Sequence, residues 1–348
     1  MIHGGDIYGR KVRYDFSVSV NPSQRPEAVR DAMVAAAERV EAYPDIMQRE
    51  FREKLAQFER LEPDEIWGGN GASELLMGIA YWLRPKRAAL LAPCFYGYRH
   101  VLSALGDCQI VEFPLDVTHG FLLSEEFLDW LAVVDVDALF IANPNNPTGR
   151  LVAPGLMAQI LARCRAAGAA VVLDESFLRT SSGGRSERRR LAEFPNLYVV
   201  DAFTKLFAIP GARAGYVVST AENIAGVRSR LPEWNMSSFA TSAALACLET
   251  MATTDFVAES VHTIERERRY LTDALRSMGL RVFDSDTNFL LFYSETPLAR
   301  ALLTKGILIR DCRNFAGLTA GFYRIAVRAR AENEILVAAI AELLGEVR

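Results

Sequence analysis

The sequence predicts an α/β fold, with a large domain built on a mainly parallel sheet and a smaller α+β domain. Three observations predict it. Short apolar runs alternate with helical patterns through the first two thirds of the chain, most runs end at Pro, Asn or Asp, and the pattern changes after about residue 225. Strands of a parallel sheet are buried on both faces, so they read as continuous apolar runs. A length of 348 residues also favours about two domains.

Five apolar runs are the predicted strands of the large sheet: 87–92, 138–142, 169–173, 197–200 and 214–218. Helical patterns alternate with them, at 73–83 before the first run and at 156–167 between the second and the third. Ligands of such open sheets bind outside the carboxyl ends of the strands. The chain places these polar or rigid residues just beyond predicted strand ends: Pro93, 143–149, Asp174 and Lys205.

The last third of the chain has a different character. A helical stretch over 237–277 precedes short strand-like pieces at 280–284, 289–292, 307–310 and 323–327, and a helical stripe over 332–344 closes the chain. We therefore predict an N-terminal arm with part of the small domain (1–35), a large domain (36–225) and a linking helix with the C-terminal small domain (226–348). The Ser-, Gly- and Arg-rich stretch 181–190 is predicted to be a solvated surface loop.

Composition narrows the possible partners. The chain has 39 Lys plus Arg, 43 Asp plus Glu and a net charge of −4, which disfavours nucleic acid or a membrane surface as partner. Five cysteines without a CxxC pair and four unclustered histidines predict neither a disulfide framework nor a metal site. The absence of a signal-like start and of a long apolar run favours a cytoplasmic protein without a membrane span.

Lysine is rare in this chain, which restricts amine chemistry to few candidates. Only five of the 39 basic residues are lysines: Lys11, Lys54, Lys86, Lys205 and Lys305. Lys205 lies in DAFTKLFAIPGARAGY, directly after a predicted strand and among aromatic residues. Burial would lower its pKa and make it a better nucleophile toward an aldehyde. A surface lysine at a strand end is the alternative, although Arg213 and its neighbouring glycines favour an anion site nearby.

Three further segments are ambiguous when each is considered alone. Asp174 ends an apolar strand, where it could face a cationic partner or cap a helix. The segment GGNGASE at 68–74 could hold a phosphate at a helix N-terminus or simply begin a helix. The turn NPNNPTG at 143–149 carries side-chain amides, but it could also be an ordinary connection.

These motifs occur together in one order: GGNGASEL, PCF, NPNNPTG, LDES, and TK with an arginine eight residues later. In this combination the chain resembles fold-type I pyridoxal 5′-phosphate enzymes over nearly its whole length. It is most similar to the histidinol-phosphate aminotransferase group and, within it, to the L-threonine O-3-phosphate decarboxylases of cobalamin synthesis. The narrower resemblance rests on HGGDIY, DFS with NP, YPD, IRDCRNFAGL and YRIAVR.

The resemblance implies pyridoxal 5′-phosphate as cofactor and a role for each matching residue. Lys205 would hold the cofactor as a Schiff base and move protons, and Asp174 would pair with the pyridine nitrogen. Asn146 would hydrogen-bond the ring hydroxyl, and Phe95 would stack on the ring. The remaining residues would bind the cofactor phosphate: Gly71, Ala72, Ser73, Thr204 and Arg213.

The resemblance also implies a homodimer and a small amino-acid substrate. Tyr43 would reach the cofactor phosphate of the neighbouring subunit. Arg324 would bind the substrate carboxylate through its two-pronged guanidinium. Three residues would lie near the distal end of the substrate: His3, Asn21 and Arg310.

Three positions depart from the family pattern. Ala202 stands where Ser or Thr usually contacts the cofactor phosphate, Phe177 replaces a common Tyr, and Ser19 stands where closer relatives have Asn.

We expect a decarboxylase acting on a phosphorylated amino acid. The alternative is an aminotransferase of the histidinol-phosphate type, recruited to specialised metabolism.

Overall fold

The computed structural model describes residues 4–345, which contain two main sheets and the helices that cover them. The strands of this part of the chain are β1 (Tyr14–Asp15), β2 (Ile66–Asn70), β3 (Arg87–Ala92), β4 (Gln109–Pro114), β5 (Ala138–Ala142), β6 (Ala170–Asp174), β7 (Leu197–Ala202), β8 (Ala214–Val218), β9 (Arg281–Val282), β10 (Phe289–Tyr293), β11 (Ile307–Leu308), β12 (Arg310–Asp311) and β13 (Phe322–Ala326).

The helices of the same residues are α1 (Glu27–Ala37), α2 (Arg49–Glu59), α3 (Ala72–Leu83), α4 (Tyr96–Ser103), α5 (Glu126–Val133), α6 (Pro154–Ala166), α7 (Phe203–Leu206), α8 (Ala221–Arg228), α9 (Ser238–Thr253), α10 (Phe256–Ser277), α11 (Leu298–Thr304) and α12 (Arg330–Gly345). Four short 3₁₀ turns accompany them, at Pro63–Glu65, Leu178–Thr180, Arg188–Arg190 and Pro210–Ala212.

The large sheet has seven strands in the order β2-β8-β7-β6-β5-β3-β4. Strand β8 is antiparallel to both neighbours, and the rest of the sheet is parallel. The mainly parallel sheet predicted from the apolar runs is thereby confirmed. Three runs match their strands residue for residue, β3, β5 and β8, because each is continuous and buried.

Two strands of this sheet gave no clear signal in the sequence. Strand β4 (QIVEFP) is a half-exposed edge strand, so polar residues interrupt its apolar pattern. Strand β2 (IWGGN) ends in two glycines and an asparagine, which are poor strand formers. Tertiary pairing with a neighbouring strand stabilises both segments, and this pairing cannot be read from local sequence.

The two faces of the large sheet differ at the ends of β6 and β7, where successive side chains alternate between faces. Asp174 and Ala202 face the core that contains Tyr98 and Val200. Glu175 and Asp201 face the opposite core, beside Tyr216. One pair of neighbouring strand ends therefore presents polar groups to both sides of the sheet.

The smaller sheet is antiparallel, in the order β12-β13-β10-β9. Beside it, β1 pairs in parallel with β11, so the N-terminal segment joins the C-terminal part of the fold. This pairing supports the predicted grouping of 1–35 with the small domain, whose boundaries stay a prediction. The predicted helical stretch 237–277 is two helices, α9 and α10, because the backbone is extended at Thr254.

The prediction of a solvated loop at 181–190 is confirmed at 183–185, which are exposed, and is wrong at Glu187 and Arg188, which are buried. Arg188 is only 2% exposed, and its guanidinium contacts three buried acids: Glu59, Glu175 and Asp201. Glu59 lies 129 residues from Arg188, so local composition could not show that the loop has partners. In the described part of the chain, we find no helix with the length and apolar character needed to span a membrane.

Candidate active site

A cavity of about 870 Å³ opens where β5, β6 and β7 end, between the large sheet and the small one. Its wall also includes the N-terminal segment and the beginning of α3. Ten residues singled out from the sequence line it: Ala72, Ser73, Phe95, Asn146, Asp174, Thr204, Lys205, Arg213, Arg310 and Arg324. Segments from distant parts of the sequence thus meet in one site.

Lys205 lies in the helical turn α7, which directly follows β7. Burial, together with the positive charges of Arg324 and Arg213, lowers the pKa of its amine to about 8, although the Asp174 carboxylate opposes this effect. The ammonium nitrogen lies 5.4 Å from the centre of the Phe177 ring. A lowered pKa leaves a substantial neutral fraction near neutral pH, which suits a nucleophile and a proton carrier.

Asp174 is the last residue of β6, and its carboxylate is buried. It accepts hydrogen bonds from the Tyr98 hydroxyl (2.8 Å) and the Ser176 backbone N–H (2.9 Å). Burial raises its pKa, although these hydrogen bonds oppose that effect. Among residues 4–345 no cationic side chain forms an ion pair with it. A protonated pyridine nitrogen would supply the missing positive partner.

An anion cradle lies at the N-terminus of α3. The helix has no side-chain cap, so the backbone N–H groups of its first turn are open to a ligand. Gly71 has a φ of +78°, and a Cβ there would lie 2.4 Å from the Arg213 guanidinium. Arg213 donates to the backbone oxygens of Asn70 and Pro210, which hold its guanidinium beside the cavity. Glycine at position 71 therefore lets this arginine reach the cradle.

Phe95 and Asn146 line the part of the cavity between the cradle and the small sheet. The ring of Phe95 packs edge-on against Tyr98, with centroids 5.5 Å apart. A Cβ at Gly97 would lie 2.2 Å from the Phe95 ring, so glycine is needed for this ring position. Asn146 accepts a hydrogen bond from Arg324 Nη1 through its side-chain oxygen (2.5 Å), which leaves its amide N–H groups for a ligand.

Two arginines from the small sheet form the other end of the site. Arg310 on β12 and Arg324 on β13 are direct cross-strand partners, and both are buried. Arg324 also donates to the Ser17 backbone oxygen (2.8 Å), and Arg310 donates to Asn314 (2.7 Å). Burial lowers the pKa of Arg324 to about 10, which still leaves it charged at neutral pH. Neighbouring positive charges at this end favour an anionic substrate.

Two described residues expected at the site, Asn21 and Tyr43, do not line this cavity. The side chain of Asn21 is hydrogen-bonded to Leu206 and Ser260, and its contact with the substrate stays a prediction. Tyr43 is 80% exposed and packs on Trp234. His3 lies outside the described residues. Gly71 borders the cavity through its contact with Arg213.

The structure also adds residues that sequence reasoning did not assign to the site. Tyr98 donates to Asp174, 76 residues away, and no local motif announces this contact. Ser19 lines the cavity, and its buried hydroxyl has no hydrogen-bond partner among the described residues. Its departure from the family pattern was visible in the sequence, but its orientation was not.

These groups together fit pyridoxal 5′-phosphate. The site offers an amine of lowered pKa at Lys205, an unpaired buried carboxylate at Asp174 and an anion cradle at Arg213. The cofactor presents an aldehyde, a basic ring nitrogen and a phosphate to these three groups. Ala202 adds no hydroxyl beside the cradle, so one expected phosphate contact is missing.

Comparisons with known proteins agree with this fit. The family model for aminotransferase class I and II matches residues 13–340. A threonine-phosphate decarboxylase from Salmonella typhimurium is 32% identical, over 95% of this chain and 91% of its own length. A histidinol-phosphate aminotransferase from Symbiobacterium thermophilum is 31% identical, over 92% of this chain and 87% of its own length.

A solved structure supports the same family. The histidinol-phosphate aminotransferase from Clostridium acetobutylicum superposes with a TM-score of 0.87 at 27% identity, covering 96% of this chain and 99% of that protein. The chain therefore belongs to the aminotransferase class I and II family, as an enzyme with pyridoxal 5′-phosphate as its cofactor.

Proposed function

We propose that this enzyme decarboxylates a small phosphorylated amino acid, with L-threonine O-3-phosphate as the best candidate. The adjacent buried arginines at the substrate end, Arg310 and Arg324, carry this proposal. They are additional to Arg213, which lies at the cofactor phosphate cradle. Two guanidinium groups in one half of the site fit a substrate that carries both a carboxylate and a phosphate. The similarity to the threonine-phosphate decarboxylase of Salmonella typhimurium supports the same choice.

The residues of the site divide the chemical tasks. Pyridoxal 5′-phosphate, when bound, supplies an electron sink that stabilises negative charge at the substrate Cα. Asp174 keeps a proton on the ring nitrogen, since an unpaired buried carboxylate favours a positive partner. Lys205 gives a proton to Cα or removes one from it, for which a pKa of about 8 is suited.

The orientation of the substrate decides which bond breaks. For loss of CO2, Arg310 and Arg324 would have to hold the substrate so that the electron sink stabilises the electron pair of the bond to the carboxylate carbon, and for transamination so that it stabilises the pair of the Cα–H bond. In decarboxylation the bond's electron pair stays at Cα, and a proton from Lys205 replaces the carboxylate. Arg324 binds to Asn146 and to the Ser17 backbone, which gives its guanidinium a fixed direction for holding a carboxylate.

An aminotransferase of the histidinol-phosphate type is the second candidate. A relative with that name is nearly as similar as the decarboxylase, at 31% against 32% identity. The pair Arg310 and Arg324 also fits the two carboxylates of a dicarboxylic amino donor. In that reaction Lys205 would remove the Cα proton instead of supplying one.

Product analysis separates the two candidates. We expect the holoenzyme to convert L-threonine O-3-phosphate into CO2 and aminopropanol phosphate, with the cofactor spectrum unchanged after turnover. Failure to release CO2 would exclude this decarboxylation. Conversion of the cofactor to its amine form by histidinol phosphate or glutamate, seen as a shift of its absorption, would support the aminotransferase instead.

We also propose a cytoplasmic homodimer with active sites at the subunit interface. Tyr43 is highly exposed and absent from its own cavity, so a neighbouring subunit is a plausible place for its hydroxyl. Mixing inactive Lys205→Ala protein with impaired Tyr43→Ala protein tests this, because hybrid dimers would regain one intact site. Unchanged activity on mixing, with subunit exchange verified, would contradict a shared site. Cell fractionation tests the cytoplasmic location. The five free cysteines favour it, because the cytoplasm keeps thiols reduced.

A further inference from the structure

A buried ion cluster lies behind the active site, on the opposite face of the large sheet. We call it the Arg188 cluster, and its members are Glu59, Glu175, Arg179, Arg188, Asp201 and Tyr216. Two guanidinium groups face three carboxylates there. None of the six residues lines the cavity. The cluster is therefore outside the site described above, and no step of the proposed reaction uses it.

Arg188 is the centre of this cluster. Its Nη2 donates to Glu175 Oε2 (2.7 Å) and Asp201 Oδ2 (2.9 Å). Its Nη1 donates to Glu59 Oε1 (2.6 Å) and the Tyr216 hydroxyl (2.5 Å), while Nε donates to Ser186 (2.6 Å). These bonds use all five N–H groups of the guanidinium. The side chain is thus held in one position from every direction.

The two carboxylates on Nη2 belong to the strand ends that carry the catalytic groups. Glu175 directly follows Asp174 at the end of β6. Asp201 lies in β7, and its second oxygen accepts the backbone N–H of Ala202 (2.7 Å), three residues before Lys205. One nitrogen of Arg188 therefore connects the end of β6 to the end of β7, from the side opposite the cavity.

We propose that Arg188 is a positioning residue that fixes the distance between Asp174 and Lys205 by joining these two strand ends. Backbone pairing between β6 and β7 ends at Asp174 and Val200, with one further bond from the Glu175 N–H to the Val200 oxygen, and beyond it Asp201 and Ala202 pair only with β8, so Arg188 is a side-chain link between β6 and β7 past the end of their shared ladder. Misplacement of a reacting group by about 1 Å can reduce turnover roughly a hundredfold. Buried ion pairs are often exchangeable for apolar groups without loss of stability, which makes a purely stabilising role a weak explanation.

The proposal requires that the cofactor binds at Lys205, but it holds for decarboxylation and transamination alike. The test variant is Arg188→Lys, which keeps the positive charge and loses the planar group that spans both carboxylates. The matched control is Glu59→Gln, which changes the same cluster at the end of α2, away from both strand ends. Both holoenzymes are compared with wild type by thermal unfolding, by kcat and KM, and by the pH midpoint of the cofactor absorption band.

For Arg188→Lys we expect kcat to fall about tenfold or more, with KM changed by less than roughly threefold. We expect the absorption midpoint to move by at least about half a pH unit. Glu59→Gln should lower the melting temperature and leave kcat and the midpoint unchanged. A stability loss in both variants without a change of kcat or midpoint in Arg188→Lys would overturn the proposal.

A second variant covers the case in which Arg188→Lys does not fold. Glu175→Gln removes one charge from the contact between Arg188 and the end of β6 and keeps the shape of the side chain. We therefore expect kcat to fall and the pH midpoint to shift in the same directions as in Arg188→Lys, but by smaller amounts. A folded Glu175→Gln holoenzyme with wild-type kcat and midpoint would contradict the proposal. The midpoint needs no substrate, so it reports on Arg188 even where the proposed substrate is wrong.

Discussion

At the ends of β6 and β7, the two faces of the large sheet differ in whether their buried polar groups have partners. Behind the sheet, every N–H group of Arg188 has an acceptor. In front of it, Asp174 lacks an ion-pair partner among residues 4–345, and the Ser19 hydroxyl and Arg324 Nε are buried without a partner there. An unpaired buried polar group costs about 1–3 kcal/mol, so several of them around one cavity indicate a place that a ligand can complete. We therefore propose that the cavity side of these strand ends is the reactive one.

The largest expected effect comes from removing the amine on the reactive face. Lys205→Ala should reduce turnover at least roughly 10³-fold and abolish the absorption band of the lysine-bound cofactor, since no other group in the cavity can replace the amine. Lys86→Ala is the control, because Lys86 is exposed and pairs with Asp107. Steady-state kinetics and an absorption spectrum suffice, and wild-type turnover in Lys205→Ala would disprove the assignment.

Exchanging one carboxylate on each face should separate activity from stability. Asp174→Asn should lower kcat about 100-fold and leave the unfolding free energy of the apoprotein no lower than wild type, because a poorly paired buried charge is removed. Glu59→Gln should leave kcat unchanged and lower the unfolding free energy by about 3 kcal/mol, because it breaks a buried ion network. Denaturant titration measures the unfolding free energy of both variants, and steady-state kinetics measures their kcat. Equal changes of both quantities in the two variants would contradict the distinction between the two faces.

A substitution at the substrate end of the site should change KM more than kcat. Arg310→Lys keeps the charge and loses the two-pronged contact, so KM for L-threonine O-3-phosphate should rise roughly 10–100-fold, as expected for one lost charge-assisted hydrogen bond. Unphosphorylated L-threonine serves as the control substrate, whose KM should change much less. A parallel rise for both substrates would mean that Arg310 does not contact the distal phosphate.

The lowered pKa of Lys205 predicts a pH dependence in the apoprotein. Only the neutral amine attacks an aldehyde, so the rate of pyridoxal capture should rise about tenfold per pH unit and level off above about pH 8. For a solvated lysine the rate would level off only above about pH 10, because an amine that is not buried keeps its ordinary pKa. Pyridoxal lacks the phosphate, which avoids interference from phosphate ionisation, and Lys205→Ala provides the blank. A midpoint near 10 would show that the amine is solvated.

The smallest expected effect is tighter binding of the cofactor phosphate at the anion cradle. Ala202→Ser should tighten cofactor binding about tenfold, since it supplies one charge-assisted hydrogen bond worth about 1.5 kcal/mol. Ala142→Ser is the matched control, because Ala142 lines the same cavity at the end of another strand. Equilibrium titration of the apoproteins with the cofactor measures both. A weaker complex for Ala202→Ser would mean that the cradle has no room for a hydroxyl.

The cofactor half of the site was readable from the sequence because its signals are local. Lys205 and Arg213 lie within one short motif, and 71–73 lie at the start of one helix, so each motif carries its own geometry. The strand before Lys205 contains a continuous apolar run, which placed that motif at a strand end. The substrate half depends on contacts across the chain, such as the one between Arg324 and Ser17, 307 residues apart.

Local sequence alone also misled at 181–190. This stretch looks solvated throughout, yet the acids that pair with Arg188 come from α2, the end of β6 and β7. The partners that bury Arg188 are therefore remote in the sequence. Asn21, expected near the substrate from the family resemblance, likewise has a remote partner, because its amide donates to Ser260, 239 residues away.

The sequence by itself determined the fold class and the cofactor, and it singled out residues that the fold brings to one cavity, because apolar runs and short motifs carry that information within a few residues. Only the tertiary structure decided which polar groups are paired and which are left for a ligand. The reason is physical: a hydrogen bond needs its two atoms within about 3 Å, and the chain brings most of these atoms together only when the two sheets and their helices have packed.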